Sequence, residues 1–426
     1  MPVRRVRILV LVLVLLTLAA AAPAARATVV VGLGDQKAAT FADARVRTLG
    51  LRHARLIVPW DAATSEPALV DQWLAAVAAA GLQPHVAFEH LRTDDCPGRP
   101  CVVPTRAQYG AAVRRFVARF PAVRTYTTWN EANHASQPVA SDPEAVAGYY
   151  DELRAACPSC TVVAGDVLDS GSYAAWLRRF LAASDTTPRL WGLHDYGDVT
   201  YGRTSGVDTV LGIVPGTLWV EETGGLVTLR NGAGRTTFST SEALAATAID
   251  RAFALAATRP RIARMYVYEW MAFPDDAFDA GLVRPDGAAR PSLAALQRNL
   301  ATLASAAAAA ARRPVRLSAS WSRAHPRQLV LKAACPTTVV RCTGTVSATL
   351  RTRAAGAARA TFARVATRRR YATTSAQRAV TIRIALSRKA WRRARAAPTR
   401  RLVLAIAATR PTRASARKAV ALVRPS

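Results

Sequence analysis

From residue 28 onward the chain alternates between two hydrophobic rhythms. Short runs dominated by β-branched and aromatic residues recur eight times: TVVVGLG (28–34), ARLIVPW (54–60), PHVAFEH (84–90), RTYTTWNE (124–131), TVVAGD (161–166), LWGLHDY (190–196), TLWVEE (217–222) and RMYVYEW (264–270). Their composition and length predict buried strands. Between them lie Ala- and Leu-rich stretches with helical spacing, among them EPALVDQWLAAVAAAG (66–81), RAQYGAAVRRFVARF (106–120), EAVAGYYDELRAA (144–156) and SEALAATAIDRAFALAA (241–257). Strands alternating with helices imply parallel βαβ units. Eight such units match a (β/α)8 TIM barrel, an α/β fold of about 250 residues. A doubly wound open sheet is the alternative. It calls for GxGxxG after the first strand, and GLGDQKA (32–38) lacks the third glycine.

The two ends of the chain differ from this middle. Arg4, Arg5 and Arg7 precede the apolar run ILVLVLVLLTLAAAA (8–22), and Ala25-Arg26-Ala27 follows. This order predicts a secretory signal peptide over 1–27, cut after Ala27. An uncleaved anchor is the alternative, for which the run is short. No later stretch is long and apolar enough to span a membrane, so an extracellular protein is expected. Six cysteines fall into three close pairs: Cys96 with Cys101, Cys157 with Cys160, and Cys335 with Cys342. In an oxidising compartment these read as three local disulfides. Cys157-Pro158-Ser159-Cys160 also has the CxxC form of a redox or zinc site, but no second CxxC or His pair completes a metal shell. Neither a metal nor another cofactor is expected.

Charge divides the rest. The formal net charge is +30, yet all 28 Asp and Glu occur at or before Asp286, whereas Arg312 to Ser426 holds 28 Lys and Arg. A domain boundary therefore falls near residue 312, separating a barrel over 28–311 from a basic domain over 312–426. In that tail RQLVLKAAC, CTGTVSATLRT, AVTIRIALS and RLVLAIAAT alternate apolar and polar residues, which predicts a small all-β, Ig-like sandwich. Its charge suits an anionic cell-wall polymer, lipid headgroups or nucleic acid through counterion release. Plain solvation of arginines from a biased composition is the competing reading. Only Trp321, Phe362, Tyr371 and Trp391 interleave with the arginines, which argues against specific nucleic-acid recognition.

Candidate chemistry collects where strands end. The fourth strand ends in Trp129-Asn130-Glu131, the sixth in His194-Asp195-Tyr196, the seventh in Glu221-Glu222-Thr223-Gly224 and the eighth in Tyr268-Glu269-Trp270. Taken singly, Asn-Glu at a strand end is an ordinary cap, His194 an ordinary core histidine, and Trp60 and Trp270 ordinary core residues. Jointly they place two carboxylates across the C-terminal mouth of a barrel, where such folds keep their chemistry. Glycoside hydrolysis needs that pairing: one protonated acid for the leaving oxygen and one ionised carboxylate for the anomeric carbon.

WNEAN, followed by WVEETGG with Glu222 standing 91 residues after Glu131, resembles the clan A glycoside hydrolases, in the manner of families 39 and 5. The stretch YEWMAFPDDAFDAGLVRPDGAARPSLAAL after the eighth strand resembles them too. The tail is similar to basic β-sandwich modules of secreted actinobacterial proteins. The clan resemblance implies a retaining enzyme acting on a β-linked oligo- or polysaccharide, with Glu131 as acid/base and Glu222 as nucleophile. It implies that Asn130 bonds the sugar 2-hydroxyl, that Tyr196 and Arg55 keep Glu222 ionised beside His194, and that Trp270 is the sugar platform. Trp60, Glu89 and His90 would contact substrate at the rim. Two departures stand out: Asn130-Glu131 is followed by Ala132 instead of proline, and Glu221 replaces a small hydroxyl residue. Strict alternation places Leu218, Val220 and Glu222 on one strand face and Trp219 and Glu221 on the other. Glycine spacing favours Glu222 as nucleophile, with Glu221 the alternative. The alternative function is a non-catalytic carbohydrate- or wall-binding protein on a degenerate barrel.

Overall fold

The computed structural model describes residues 29–274 and 276–311. In the tail it describes 316–322, 324–325, 327–334, 343–353, 359, 361–372, 379–396, 399–410 and 414–421. The expected leader over 1–27 lies outside the described residues.

All eight strand-like runs belong to one parallel sheet. They are Val30–Gly34 (β1), His53–Pro59 (β2), Gln83–Glu89 (β3), Thr125–Thr127 (β4), the two pieces Thr161–Val163 and Asp166–Leu168 (together β5), Leu190–His194 (β6), Thr217–Thr223 (β7) and Ile262–Tyr268 (β8). The interrupted β5 closes the ring. Its first piece pairs with β4 and its second with β6. Across the seam Ala164 N–H donates to the Leu190 carbonyl at 3.0 Å and Gly192 N–H to that of Gly165 at 2.7 Å. The result is a TIM barrel.

Helices cover the outside because each carries one apolar stripe. Pro67–Ala79 buries Val70, Trp73 and Val77. Arg106–Arg119 starts at a capping box between Thr105 and Gln108 and buries Tyr109, Val113 and Phe116, with Phe116 edge-on to Phe88 of β3. Each such buried side chain contributes about 1.5–3 kcal/mol relative to exposure.

The barrel interior is unusually polar for a core. His85, Trp219 and Tyr266 form its floor, with the two ring nitrogens of His85 3.0 Å from the Tyr266 hydroxyl and 2.8 Å from Thr127 Oγ1. Gly32 leaves room for Tyr266, since a Cβ there would stand 2.6 Å from its ring. An antiparallel sheet of Thr228–Arg230, Thr236–Ser239 and Phe278–Asp279, built from the segments that follow β7 and β8, was not foretold by the hydrophobic pattern.

Two of the three expected disulfides are present, Cys96 with Cys101 and Cys157 with Cys160, so the CxxC thiols are held as a covalent pair. The third expected disulfide has no counterpart among the described residues, because Cys335 and Cys342 both lie outside them. Among the described residues no group of His, Cys, Asp and Glu could hold a metal ion, and no helix is long and apolar enough to cross a membrane.

Contacts divide the chain into two compact units, with the change at Pro314/Val315. The second unit holds a three-stranded antiparallel sheet, Arg316–Trp321, Gln328–Ala334 and Ala379–Ala385. Its four-stranded antiparallel sheet runs in the order Thr361–Ala372, Thr343–Arg353, Thr399–Arg410 and Ala414–Ala421. Alternate residues Val346, Ala348 and Leu350 are buried, as are Leu329, Leu331 and Ile384, the half-buried signature expected of sandwich strands. A helix over Arg388–Ala396 escaped the sequence reading. Only Ala390 and Ala394, one turn apart, are buried on it, too little apolar signal to register.

Candidate active site

The opening of the barrel is built at the C-terminal ends of β4 to β8, with Arg55 reaching in from the first half of β2. Past β4 the chain remains tied to its neighbours: Asn130 N–H donates to the Phe88 carbonyl at 2.7 Å and Ala132 N–H to that of Asp166 at 2.9 Å. A proline at 132 has no N–H to give, which accounts for alanine after Asn130-Glu131. Between these two anchors Glu131 adopts φ 45, a left-handed conformation that is uncommon outside glycine.

On β7 the pairing slips. Val220 lies opposite Leu193 and Met265, but the next partners are His194 with Glu222 and Val267 with Thr223. This irregularity corrects the alternation expected from sequence: Glu221 and Glu222 both reach the interior, where each bonds Arg55. Arg55, rising from β2 and only 1% exposed, is the hub. Its Nε donates to Glu221 Oε2 at 3.0 Å and its Nη1 to Glu222 Oε1 at 2.8 Å, while Nη2 serves Asn130 Oδ1 at 2.7 Å and Asp166 Oδ2 at 3.0 Å.

The two adjacent acids differ in surroundings. Glu221 is fully buried, accepts from Thr127 Oγ1 at 2.6 Å and lies 3.4 Å from His85 of the floor. Its Oε1 has no hydrogen-bond partner among the described residues. Glu222 has a 7% exposed side chain, accepts from the Tyr196 hydroxyl at 3.3 Å and stands 3.5 Å from His194 Nδ1. Glu131, with 22% of its side chain exposed, meets the same Nδ1 at 2.9 Å through Oε1. On its other side His194 Nε2 is 2.9 Å from Asp166 Oδ2, an ion-pair contact bent away from good hydrogen-bond alignment. Sequence reading thus named Arg55, Asn130, Glu131, His194, Tyr196 and Glu222, and the fold brings all six together.

Electrostatics follows from this crowding. Burial pushes the Glu221 carboxyl up to about 7 despite Arg55, and pushes Glu222 up against the opposing charges of His194 and Arg55. Burial acts the same way on Glu131, but the hydrogen bond and charge of His194 outweigh it and lower its carboxyl. Burial would neutralise His194, yet Asp166 and Glu222 prevail and hold it well above the usual imidazole range.

A stability prediction arises here. Asp195, Glu221 and Glu269 are each pushed up to about 7, first by burial. In the unfolded chain these groups have already lost their protons near pH 4–5, so over pH 5–7 the folded state binds more protons and stability falls as pH rises through about 7. His194, also raised, acts in the same direction. His53, pushed down to about 4, and His85, also lowered, oppose it only below about 6.5. Thermal unfolding at constant ionic strength is expected to give a midpoint several degrees lower at pH 8 than at pH 6.

The other expected contacts lie elsewhere. Trp270 is 2% exposed, its indole N–H donates to Asp43 at 3.2 Å, and Arg45 sits over its ring, so it offers no platform to a ligand. Tyr268, two residues before it, is half-buried and 5.9 Å from the Phe278 ring, which in turn packs against Tyr196. Trp60 is half-buried and lines a flank cavity of about 450 Å³ with Asp61, Gln108 and Arg115. Glu89 is paired with Arg92, and His90 Nδ1 is 2.7 Å from the Leu91 carbonyl oxygen. Among the described contacts none joins Trp60, Glu89 or His90 to Glu131 or Glu222. Asp166, Thr127 and Lys37, the last paired with Glu269 at 2.7 Å, are additions to the residues read from sequence.

No protein-family model and no curated protein matches the chain. Solved structures do. A family 5 subfamily 18 glycoside hydrolase from Streptomyces cattleya, in complex with GlcNAc, is similar at TM-score 0.50 and 15% identity over 68% of this chain and 82% of that one. A family 39 glycoside hydrolase from the gut symbiont Bacteroides cellulosilyticus WH2 is similar at TM-score 0.47 and 15% identity, over 85% and 81%. A further subfamily 18 protein, from Bifidobacterium longum subsp. infantis, is similar at 0.47 and 14%, over 65% and 79%. At these identities the likeness is one of architecture: the barrel of this chain has the (β/α)8 fold of the family 5 glycoside hydrolase from Streptomyces cattleya.

Proposed function

We propose that the protein is a secreted retaining glycoside hydrolase acting on a β-linked oligo- or polysaccharide. The observation that carries the proposal is the meeting of Glu131 and Glu222 at one nitrogen of His194. Contacts of 2.9 and 3.5 Å to a shared atom keep those two oxygens within about 6.5 Å of each other, at the lower edge of the roughly 6.5–9.5 Å carboxyl spacing that an inverting enzyme needs for water. Short spacing suits attack by one carboxylate on the anomeric carbon.

In that reaction Glu222, held by Arg55 and Tyr196, forms the bond to the anomeric carbon. Glu131, the more exposed acid, gives its proton to the departing oxygen. It then takes a proton from the water that releases the sugar from Glu222. Asn130 has its Oδ1 fixed by Arg55, which turns its NH2 into the donor for the sugar 2-hydroxyl. Glu221, deeper and raised to about 7, contributes to the setting of Arg55 rather than to attack. Two disulfides and the leader-like first 27 residues support export.

The test is turnover by the whole mature chain on a panel of aryl β-glycosides and β-linked polysaccharides, with the first-formed anomer read by NMR. Retained configuration supports the reading. Saturable sugar binding without turnover favours the degenerate-barrel alternative, and an inverted product rejects double displacement.

The second unit adds a partner. Arg388, Lys389, Arg392 and Arg393 are exposed on one helix, and no acid follows Asp286, so no side-chain carboxylate of that unit neutralises them. The helix buries its apolar side within its own unit, which favours a polyanion held by charge over an inserted membrane contact. The full chain is expected to be retained on immobilised polyphosphate and to elute with salt. Changing the four residues to glutamine should lower the eluting salt concentration markedly, and an unchanged elution point rejects this surface.

A further inference from the structure

His194 stands between carboxylates on both sides. Nδ1 is 2.9 Å from Glu131 Oε1, and Nε2 is 2.9 Å from Asp166 Oδ2. An ionised carboxylate only accepts, and a neutral imidazole carries a single N–H. With Asp166 Oδ2 as an acceptor, as its bond from Arg55 Nη2 requires, two arrangements turn a hydrogen toward each carboxylate, the one on Nε2 facing Asp166 as a charge contact bent away from good hydrogen-bond alignment. In one, His194 is an imidazolium between two carboxylates. In the other, His194 is neutral with its hydrogen on Nε2, and protonated Glu131 donates to Nδ1. They differ only in the position of one hydrogen along the line from Nδ1 to Oε1. The proton that Glu131 lends to a leaving oxygen and the Nδ1 hydrogen of His194 are therefore the same proton.

Asp166 acts on this proton from the opposite side of the ring. It lies on the second piece of β5, fully buried, and its Oδ2 also accepts from Arg55. We propose that Asp166 is a positioning residue: through His194 it sets the pH range over which Glu131 has an acid proton to give. The inference rests on the glycosidase reading for its consequence, although not for its geometry. Charged and titratable groups around the ring are Glu131 and His134 from the segment after β4, Arg55 from β2, Glu222 with Glu221 from β7, and Asp195 and Tyr196 next in sequence. Among the described residues Asp166 alone is a carboxylate in close contact with Nε2. With its charge in place the ring keeps both hydrogens to higher pH, and Glu131 can be recharged from Nδ1 by transfer of that hydrogen, His194 becoming neutral as Glu131 becomes the acid.

Asp166→Asn preserves shape and removes the charge. The alkaline limb of kcat/KM is expected to move to lower pH by about one unit or more, the usual reach of one adjacent opposite charge, while rates on the acid side change little. A uniform loss of rate with an unmoved limb overturns the proposal, because that is what a structural role produces. Ring-nitrogen NMR of histidine-labelled wild-type protein supplies a second arm that needs no substrate and no Asp166 variant. The chain has six histidines, and the His194 ring, assigned from the spectrum of His194→Gln, is expected to keep both hydrogens at pH 8. A neutral ring at pH 8 overturns the proposal. Absence of turnover on every glycoside rejects the enzymatic reading instead, and leaves the ring measurement to decide on Asp166.

Discussion

Glu222→Ala is expected to slow hydrolysis of an activated aryl β-glycoside by about 10⁴-fold or more, the scale on which loss of a primary nucleophile acts. Sodium azide should restore turnover in this variant by attacking the anomeric carbon from the vacated side, yielding an α-glycosyl azide. Glu131→Ala should behave differently. A good leaving group needs no proton, so the first step survives and azide yields the β-product by intercepting the glycosyl-enzyme. The pair of products distinguishes the two acids more sharply than rates do. Glu221→Gln provides the control: if azide rescue follows Glu221 rather than Glu222, the roles given to the adjacent acids are reversed.

Removing the guanidinium should have the largest effect on stability. Arg55→Met leaves Asp166, Glu221 and Glu222 in the barrel without their shared cation, all at most 7% exposed in their side chains. Stripping one partner from a buried ion pair costs about 3–5 kcal/mol, and here three acids lose the same partner. The loss should exceed that of any single carboxamide substitution in the cluster, as measured by urea unfolding at pH 7. The uncompensated Glu221 and Glu222 carboxyls, already raised by burial, rise further in pKa, so they bind protons that the unfolded chain does not hold, and the deficit shrinks as pH falls toward 5. Adding Glu221→Gln to Arg55→Met should recover part of the loss, because one fewer charge is stranded. A deficit below about 1 kcal/mol at pH 7 would show that the acids are already neutral without Arg55.

The sequence carried the barrel well because each βα unit declares itself locally. Runs such as ARLIVPW and PHVAFEH have no other stable use, and the helices between them show a clear stripe. It carried six residues of the cluster around Arg55 and His194 because strand ends in such a barrel converge, so Asn130-Glu131 and His194-Asp195-Tyr196 needed only correct strand assignments to meet. Close spacing likewise sufficed for the Cys96 and Cys157 disulfides, whereas the matching expectation for Cys335 and Cys342 falls outside the described residues. What it missed depends on register and partners. The irregularity at Val220–Glu222 reverses the facing of a single residue and leaves no trace in composition. Trp270 has the residue type of a platform, yet Asp43 and Arg45 claim its edge and face from a distant segment. Asp166 was in view as the last residue of a strand-like run, but its value lies in a contact with His194, 28 positions later.

The slipped pairing on β7 has one more consequence, for anyone shortening or grafting this strand. A regular pleat would show the barrel lumen only every second side chain, so Glu221-Glu222 owes its double presentation to a single supernumerary residue. Excising Glu221 would restore a regular ladder with the surviving glutamate directly after Val220, opposite His194 and still facing the lumen, but Arg55 and Thr127 would lose the deeper carboxylate they share. Transplants of this segment should therefore carry Val220 through Thr223 as one indivisible block.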